Sequence, residues 1–184
     1  AFFSTWLKWD ACRKQAASPK FIICNADEGE PGTFKDRFLL RDQANALFEG
    51  MTVCAFVIGA EKGFIYLRGE YRYLLDHLHA VLNQNRQQGL LGQNILGHAN
   101  FHFDIEIVVG AGAYICGEES ALIESLEGKP GIPRIRPPFP VTHGYLGQPT
   151  VINNVETLIA AALIVMHGSA WFKSAGTEKS TGSK

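Results

Sequence analysis

Three short apolar runs, each followed by a Gly-containing turn and then a segment with helical spacing, constrain this chain more than any other feature. Phe21-Ile-Ile-Cys24 runs into a polar, Gly-rich stretch at residues 25–32. Residues 36–60 then carry Leu39, Leu40, Leu47, Met51 and Val57 at helical intervals, with Gly59 or Gly63 to end them. Phe64-Ile-Tyr-Leu67 is a second strand. Residues 71–88 form a second helix, with Leu74, Leu75, Leu78 and Leu82 on one stripe and Gly89 as its C-cap. Phe103-Asp-Ile-Glu-Ile-Val-Val109 is a third strand, and residues 118–127 and 154–167 are shorter helices. Between those two lie residues 128–149, which hold six of the eight prolines and cannot be regular structure. Strands alternating with helices predict an α/β, Rossmann-like layered domain with a mostly parallel sheet. Such sheets take ligands in the loops beyond the carboxyl ends of their strands. Here those are residues 25–32, 69–71 and 110–119.

Composition narrows the function classes. A formal net charge of −1 leaves no surplus of Lys and Arg to neutralise phosphates, which argues against a nucleic-acid protein. With 46% hydrophobic and 19% charged residues the chain can bury a core and is not of the disordered type. No apolar run reaches the roughly 18–20 residues needed to span a bilayer. No signal peptide is visible in Ala1-Phe-Phe-Ser-Thr5, so a cytoplasmic location is expected. The lack of an initiator Met and the loop-like ending at Lys184 lead to the expectation of a piece of a longer polypeptide. Cys12, Cys24, Cys54 and Cys116 include no Cys-x-x-Cys pair, and the six histidines are scattered, so no metal site is expected in this segment.

Four segments carry chemistry. Residues 25–37 place Asp27, Glu28 and Glu30 within four positions, directly after a strand. They read either as a solvated turn or as carboxylates that receive hydroxyls, bind a cation or work as acid–base pairs. Gly110-Ala-Gly-Ala-Tyr-Ile-Cys-Gly-Glu-Glu-Ser120 permits close backbone approach to a flat or phosphorylated ligand, or is simply a tight turn. It does not match Gly-x-Gly-x-x-Gly. The proline-rich segment presents Lys129, Arg134, Arg136 and Phe139, either on a stiff linker or lining a nucleotide site. Asn153 and Asn154 precede a helix as natural caps.

In this order the four segments resemble one family: the flavin-bearing, NADH-oxidising subunit of respiratory complex I and its relatives in NAD-reducing hydrogenases and NAD-dependent formate dehydrogenases. The match rests on residues 24–37, Tyr66-Leu-Arg-Gly-Glu70, residues 110–119, Pro133-Arg-Ile-Arg-Pro-Pro-Phe-Pro140 and Ile152-Asn-Asn-Val-Glu-Thr157. The resemblance covers essentially the whole chain. It implies an NADH dehydrogenase in which FMN sits at the carboxyl ends of the sheet and takes hydride from NADH. By position in the motifs, Lys8, Asn25, Asp27, Glu28, Tyr114, Gly117, Glu118, Asn153 and Asn154 are expected around FMN. Phe3, Glu30, Glu119, Arg136 and Phe139 are expected on the NADH side. NADH rather than NADPH is the expectation, because Glu30 or Glu119 would repel a 2′-phosphate if either sits near the ribose; the sequence alone does not settle the choice.

The resemblance also implies a 4Fe-4S cluster bound further along than residue 184. Implied partners are a thioredoxin-like 2Fe-2S subunit and further electron-transfer subunits of a complex I, hydrogenase or formate dehydrogenase. The implied location is the cytoplasm, or the cytoplasmic or matrix face of a membrane-bound complex, without membrane insertion. One departure stands out. The family's Gly-rich loop resembles Arg-Gly-Gly-Ala-Gly-Phe-Pro-Thr-Gly-x-Lys-Trp, whereas Phe2 and Trp6 stand here in place of glycines. If those rings obstruct the flavin, the alternative is a non-redox nucleotide- or partner-binding module. A carboxylate-based hydrolase using Asp27, Glu28 and Glu30 would explain none of the other motifs.

Overall fold

The computed structural model describes residues 5–177 and 180–181. Four strands form one fully parallel sheet: β1 (Phe21–Ala26), β2 (Lys62–Leu67), β3 (Asp104–Val109) and β4 (Thr150–Asn154), in the order β3-β2-β1-β4. Strand β1 is central and buried on both faces, hence its nearly unbroken apolar sequence. Its side chains alternate between two cores. Ile22, Cys24 and Ala26 enter the larger one, while Phe21 and Ile23 enter the smaller.

The larger core lies under α3 (Ala44–Ile58), α4 (Leu75–Gln87) and α7 (Val155–His167), with Cys12 of α1 (Thr5–Arg13) also inside it. Helices α3 and α7 touch backbone to backbone. A Cβ at Gly50 would lie 2.0 Å from the Leu158 carbonyl oxygen, so only glycine fits there. The smaller core lies under α5 (Glu119–Leu126), where Tyr145 packs on Phe21 and Phe64. The α/β class with a parallel sheet is as the sequence predicts.

Four local features differ from the sequence reading. The helical stretch at 36–60 is two helices, α2 (Lys35–Asp42) and α3, separated at Gln43, which has non-helical backbone. The expected helix at 71–88 opens as a 3₁₀ turn at Gly69–Leu74 before α4. Residues 5–13 are helical. Thr150–Asn154 is a fourth strand rather than only a helix cap. The proline-rich segment is irregular apart from one helical turn, α6 (Pro140–His143), and a 3₁₀ turn at Tyr145–Gly147. Beyond α7 come α8 (Ser169–Ser174) and a two-residue pairing of β5 (Gly176–Thr177) with β6 (Ser180–Thr181). Among the described residues no helix is long and apolar enough to cross a membrane.

The sheet order places the site. From β1 the chain moves outward to β2 and β3 on one side, and β4 then docks on the other side of β1. The strand order therefore reverses between β1 and β4, and a parallel sheet opens a crevice at such a point. The register brings Asn25 of β1 opposite Asn154 of β4 at the carboxyl ends.

Candidate functional site at the carboxyl ends of the sheet

A cleft of about 410 Å³ opens at this reversal, with Asn25, Asp27, Glu30, Tyr114, Gly117 and Glu118 among its walls. Its shape depends on loops held together at short range. Gly117 faces the Asp27 carbonyl at 3.4 Å from where its Cβ would sit, and a Cβ on Gly110 would strike the Tyr66 ring at 2.8 Å. Tyr66 is fixed by a 2.7 Å hydrogen bond between its hydroxyl and that of Ser125. Asn25 closes the same seam: its amide donates to the Gly117 carbonyl at 2.8 Å and its Oδ1 accepts from the Asp27 N–H at 3.1 Å.

The carboxylates divide into those with a full complement of partners and those without. Glu28 is buried; it accepts from the Tyr71 hydroxyl at 2.7 Å and from the Asp36 N–H at 3.0 Å. The Arg68 guanidinium also holds the Glu28 carbonyl. Glu30 accepts from the Tyr114 hydroxyl at 2.6 Å across the cleft. Asp27 is only 7% exposed, yet its Oδ2 has no hydrogen-bond partner. Burial pushes the Asp27 carboxyl up to about 6; Arg68 pulls against this and Glu70 adds to it.

Glu118 caps α5, its Oε2 accepting from the Ser120 and Ala121 N–H groups at 2.9 and 3.0 Å. Its buried Oε1 makes no hydrogen bond, although Arg136 lies 3.3 Å away as an ion pair. Burial drives Glu118 upward, but the Ser120 hydroxyl, the two N–H groups and Arg136 together outweigh it and hold the group below its ordinary range. These are the two buried side-chain oxygens without a hydrogen bond among the described residues, and both residues line the one cleft. Such atoms are costly to bury unless a ligand completes them.

The other residues singled out from sequence gather nearby in a second group. Lys8 donates to Glu119 at 2.8 Å and to the Ile152 carbonyl at 3.2 Å, and Arg136 bridges to Glu119 at 3.0 Å. Phe139 lines an adjoining apolar cavity of about 310 Å³ with Leu7, Lys8 and Ile152. Asn153 is buried, with its Oδ1 occupied by the Trp9 indole N–H at 2.8 Å. Asn154 caps α7 and is also fully engaged. Phe3 and Phe2 lie outside the described residues. Trp6 is 68% exposed on α1 and is not among the residues that line the cleft. Sequence reasoning missed Asp36, which is 1% exposed and lines the cleft. The available signal was an acid in the first turn of a helix following a motif loop. The four cysteines are free and buried, and among the described residues no group of three or more His, Cys, Asp or Glu could hold a metal ion.

A parallel α/β sheet with a polar, carboxylate-lined crevice at its strand reversal defines a Rossmann-like ligand-binding protein. The chain belongs to the complex I 51 kDa family, whose Nuo51 FMN-binding domain matches residues 1–163. It is 57% identical to the alpha subunit of the NAD-reducing hydrogenase HoxS of Cupriavidus necator, over all of this chain and 31% of that subunit. It is 50% identical to an NADH-quinone oxidoreductase subunit of Rhizobium meliloti, over all of this chain and 44% of that protein. The fold superposes on an NAD⁺-reducing [NiFe]-hydrogenase in the H₂-reduced state with a TM-score of 0.90 at 55% identity, covering 98% of this chain and 30% of the other. The chain thus spans less than half the length of these relatives.

The residues present fit the family's FMN. The Asp27 and Glu118 oxygens that make no hydrogen bond are acceptors for hydroxyl or ring N–H donors, and Gly117 leaves its part of the cleft lining free of a side chain.

Proposed function

We propose that residues 1–184 are the FMN- and NADH-binding core of an NADH-oxidising flavoprotein, an NADH dehydrogenase subunit that in its longer parent passes electrons to iron–sulfur clusters. The observation that carries this reading is the pair of buried carboxylate oxygens, Asp27 Oδ2 and Glu118 Oε1, that make no hydrogen bond in residues lining one crevice. Bound FMN supplies the hydride-accepting ring. Asp27 and Glu118 accept hydrogen bonds from the cofactor. Asn25, Glu28, Glu30, Tyr114 and Asn154 line the crevice that would hold it, and Asn153, bonded to Trp9, precedes Asn154 on β4. Lys8 and Arg136 offer positive charge for phosphate, while Glu119 and Phe139 lie on the side where NADH enters.

No side chain is assigned as a general base, because hydride transfer between two rings requires stacking and orientation above all. Glu30 and Glu119 make the site favour NADH over NADPH. In the parent assembly the partners are a thioredoxin-like 2Fe-2S subunit and further electron-transfer subunits of a complex I, hydrogenase or formate dehydrogenase, in the cytoplasm or on the inner face of a membrane-bound complex.

An absorbance scan tests the reading. Purified or reconstituted protein should show flavin bands at about 375 and 450 nm that bleach on anaerobic addition of NADH. Colourless protein that takes up no FMN on reconstitution would defeat it.

A further inference from the structure

We infer that Asp36, which lies outside the expected cofactor contacts, is the positioning residue that sets the geometry of the cleft before FMN arrives. The inference rests on the proposed flavin site. Asp36 sits in the first turn of α2, 1% exposed, and is bonded to both walls of the crevice. Its backbone N–H donates to Glu28 Oε1 at 3.0 Å, on the loop after β1. Its Oδ2 accepts from Asn154 Nδ2 at 2.7 Å, at the end of β4. Its Oδ1 accepts from Lys35 Nζ at 2.5 Å, and Lys35 in turn donates to Asn154 Oδ1 at 2.9 Å.

The consequence is a fixed amide. A carboxylate can only accept and an ammonium can only donate. Asn154 must therefore turn its NH₂ end to Asp36 and its oxygen to Lys35; the flipped amide would lose two charge-assisted bonds and oppose like poles. The same amide oxygen accepts from the Glu156 N–H at 3.0 Å, so it also ties α7 to this arrangement. The ladder pairs β1 with β4 as far as Asn25 and Asn154, and beyond its end Asp36 ties the loop after β1, through Glu28, to the Asn154 side chain. A site held this way pays no ordering cost when its ligand enters.

The test is an FMN titration of the apo chain, followed by visible circular dichroism of the flavin at saturation. Asp36→Asn keeps the shape but replaces one of the two acceptor oxygens by a donor and removes the charge, so Lys35 and the Asn154 NH₂ group can no longer both be accepted. It should weaken FMN binding by at least about tenfold, the worth of one hydrogen bond to a charged group, and alter the flavin dichroism even at saturation. Leu78→Ala, a fully buried core change of α4, is the control for general destabilisation and should leave FMN affinity within about twofold at temperatures where it is folded. Lys35→Met, at a half-exposed position, removes the donor to Asn154 Oδ1 together with the ion pairs to Asp36 and Glu156; it serves if Asp36→Asn does not fold, and should weaken FMN about threefold or more. If Asp36→Asn, or in its place Lys35→Met, binds FMN within twofold of the parent chain, or Asp36→Asn loses no more affinity than Leu78→Ala, this inference is overturned and the flavin site stands. A parent chain that takes up no FMN overturns the flavin site and this inference with it.

Discussion

The sheet carries a charged cleft at each end, of similar size but held in different ways. At the amino ends of β2 and β3, a cleft of about 440 Å³ is lined by Glu61, Lys62, His79, Arg86, Asp104 and Glu106. Its charges pair with one another in solvent: Lys62 with Glu106 at 2.8 Å, both about half exposed, and Arg86 with Asp104 at 3.0 Å. Exposed pairs of this kind contribute little to stability and leave nothing for a ligand to complete. At the carboxyl ends Asp27, Glu28 and Asp36 are buried, most carboxylate oxygens are occupied by N–H and O–H donors of the chain itself, and Asp27 Oδ2 and Glu118 Oε1 are left without a hydrogen bond. Charge and volume are shared by the two clefts. Among the described residues, side-chain oxygens withheld from water without a partner occur only in the second.

The largest effect expected from this contrast is on stability against pH. The Asp27 carboxyl titrates near 6 in the folded chain, above its ordinary 3.8, so between these values the folded chain binds more protons than the unfolded one. Asp27 thus lowers stability as pH rises from about 4 to 6, by up to about 3 kcal/mol. The Asp27→Asn chain should match the parent in denaturant midpoint at pH 4 and exceed it at pH 7. Equal midpoints at both pH values would contradict the burial of that charge.

The second effect has the opposite sign in the same variant. At pH 7, Asp27→Asn should bind FMN about ten- to a hundredfold more weakly while being the more stable protein. Glu106→Gln in the far cleft should leave the FMN dissociation constant unchanged. Similar losses in both variants would erase the distinction between the two ends.

Glycines sharpen the comparison next. Gly110→Ala drives a methyl into Tyr66, whose hydroxyl is tethered to Ser125, and should cost about 1–3 kcal/mol in urea unfolding. Gly63→Ala, near the far end, meets the flexible tip of Met51 at 2.9 Å and the Phe103 ring at 2.7 Å, and should cost less. The reverse ranking would mean that the cleft floor is soft. The smallest effects belong to the exposed residues. Lys62→Met should change stability by no more than about 0.5 kcal/mol, and Trp6→Ala should leave FMN affinity unchanged in the same titration.

Much of this arrangement is legible in the sequence, and the gaps have physical causes. Strands β1 to β3 announce themselves as apolar runs between turns, and the loops at 25–32 and 110–119 follow from the rule about strand ends. Strand β4 does not. Thr-Val-Ile-Asn-Asn is five residues long, carries two Asn, which are poor strand formers, and precedes a helix that the second Asn caps. It is a strand because β1 offers it an edge, which is a long-range fact. Without β4 the reversal of strand order is invisible, so the sequence points to the right loops but not to the crevice between β1 and β4. Helix α1 is hidden for the same reason. Its weakly amphipathic sequence is anchored by two contacts with β4, from Lys8 to the Ile152 carbonyl and from Trp9 to Asn153. Asp36 reads locally as an acid favouring a helix start. Only the fold reveals that it faces Asn154, 118 positions away.

That separation has a consequence for how the molecule comes into being. The crevice takes its walls from the segments after β1 and β3 and from the end of β4, whose Asn154 reaches back 129 positions to the Asn25 carbonyl. Contacts this distant form late, because the intervening chain must first be closed into a loop. On the ribosome, every residue from Asn25 to Glu118 is synthesised while one side of the crevice still does not exist. The proposed flavin site is therefore incomplete until β4 has emerged and joined, and on that proposal flavin uptake reports the closing of the sheet.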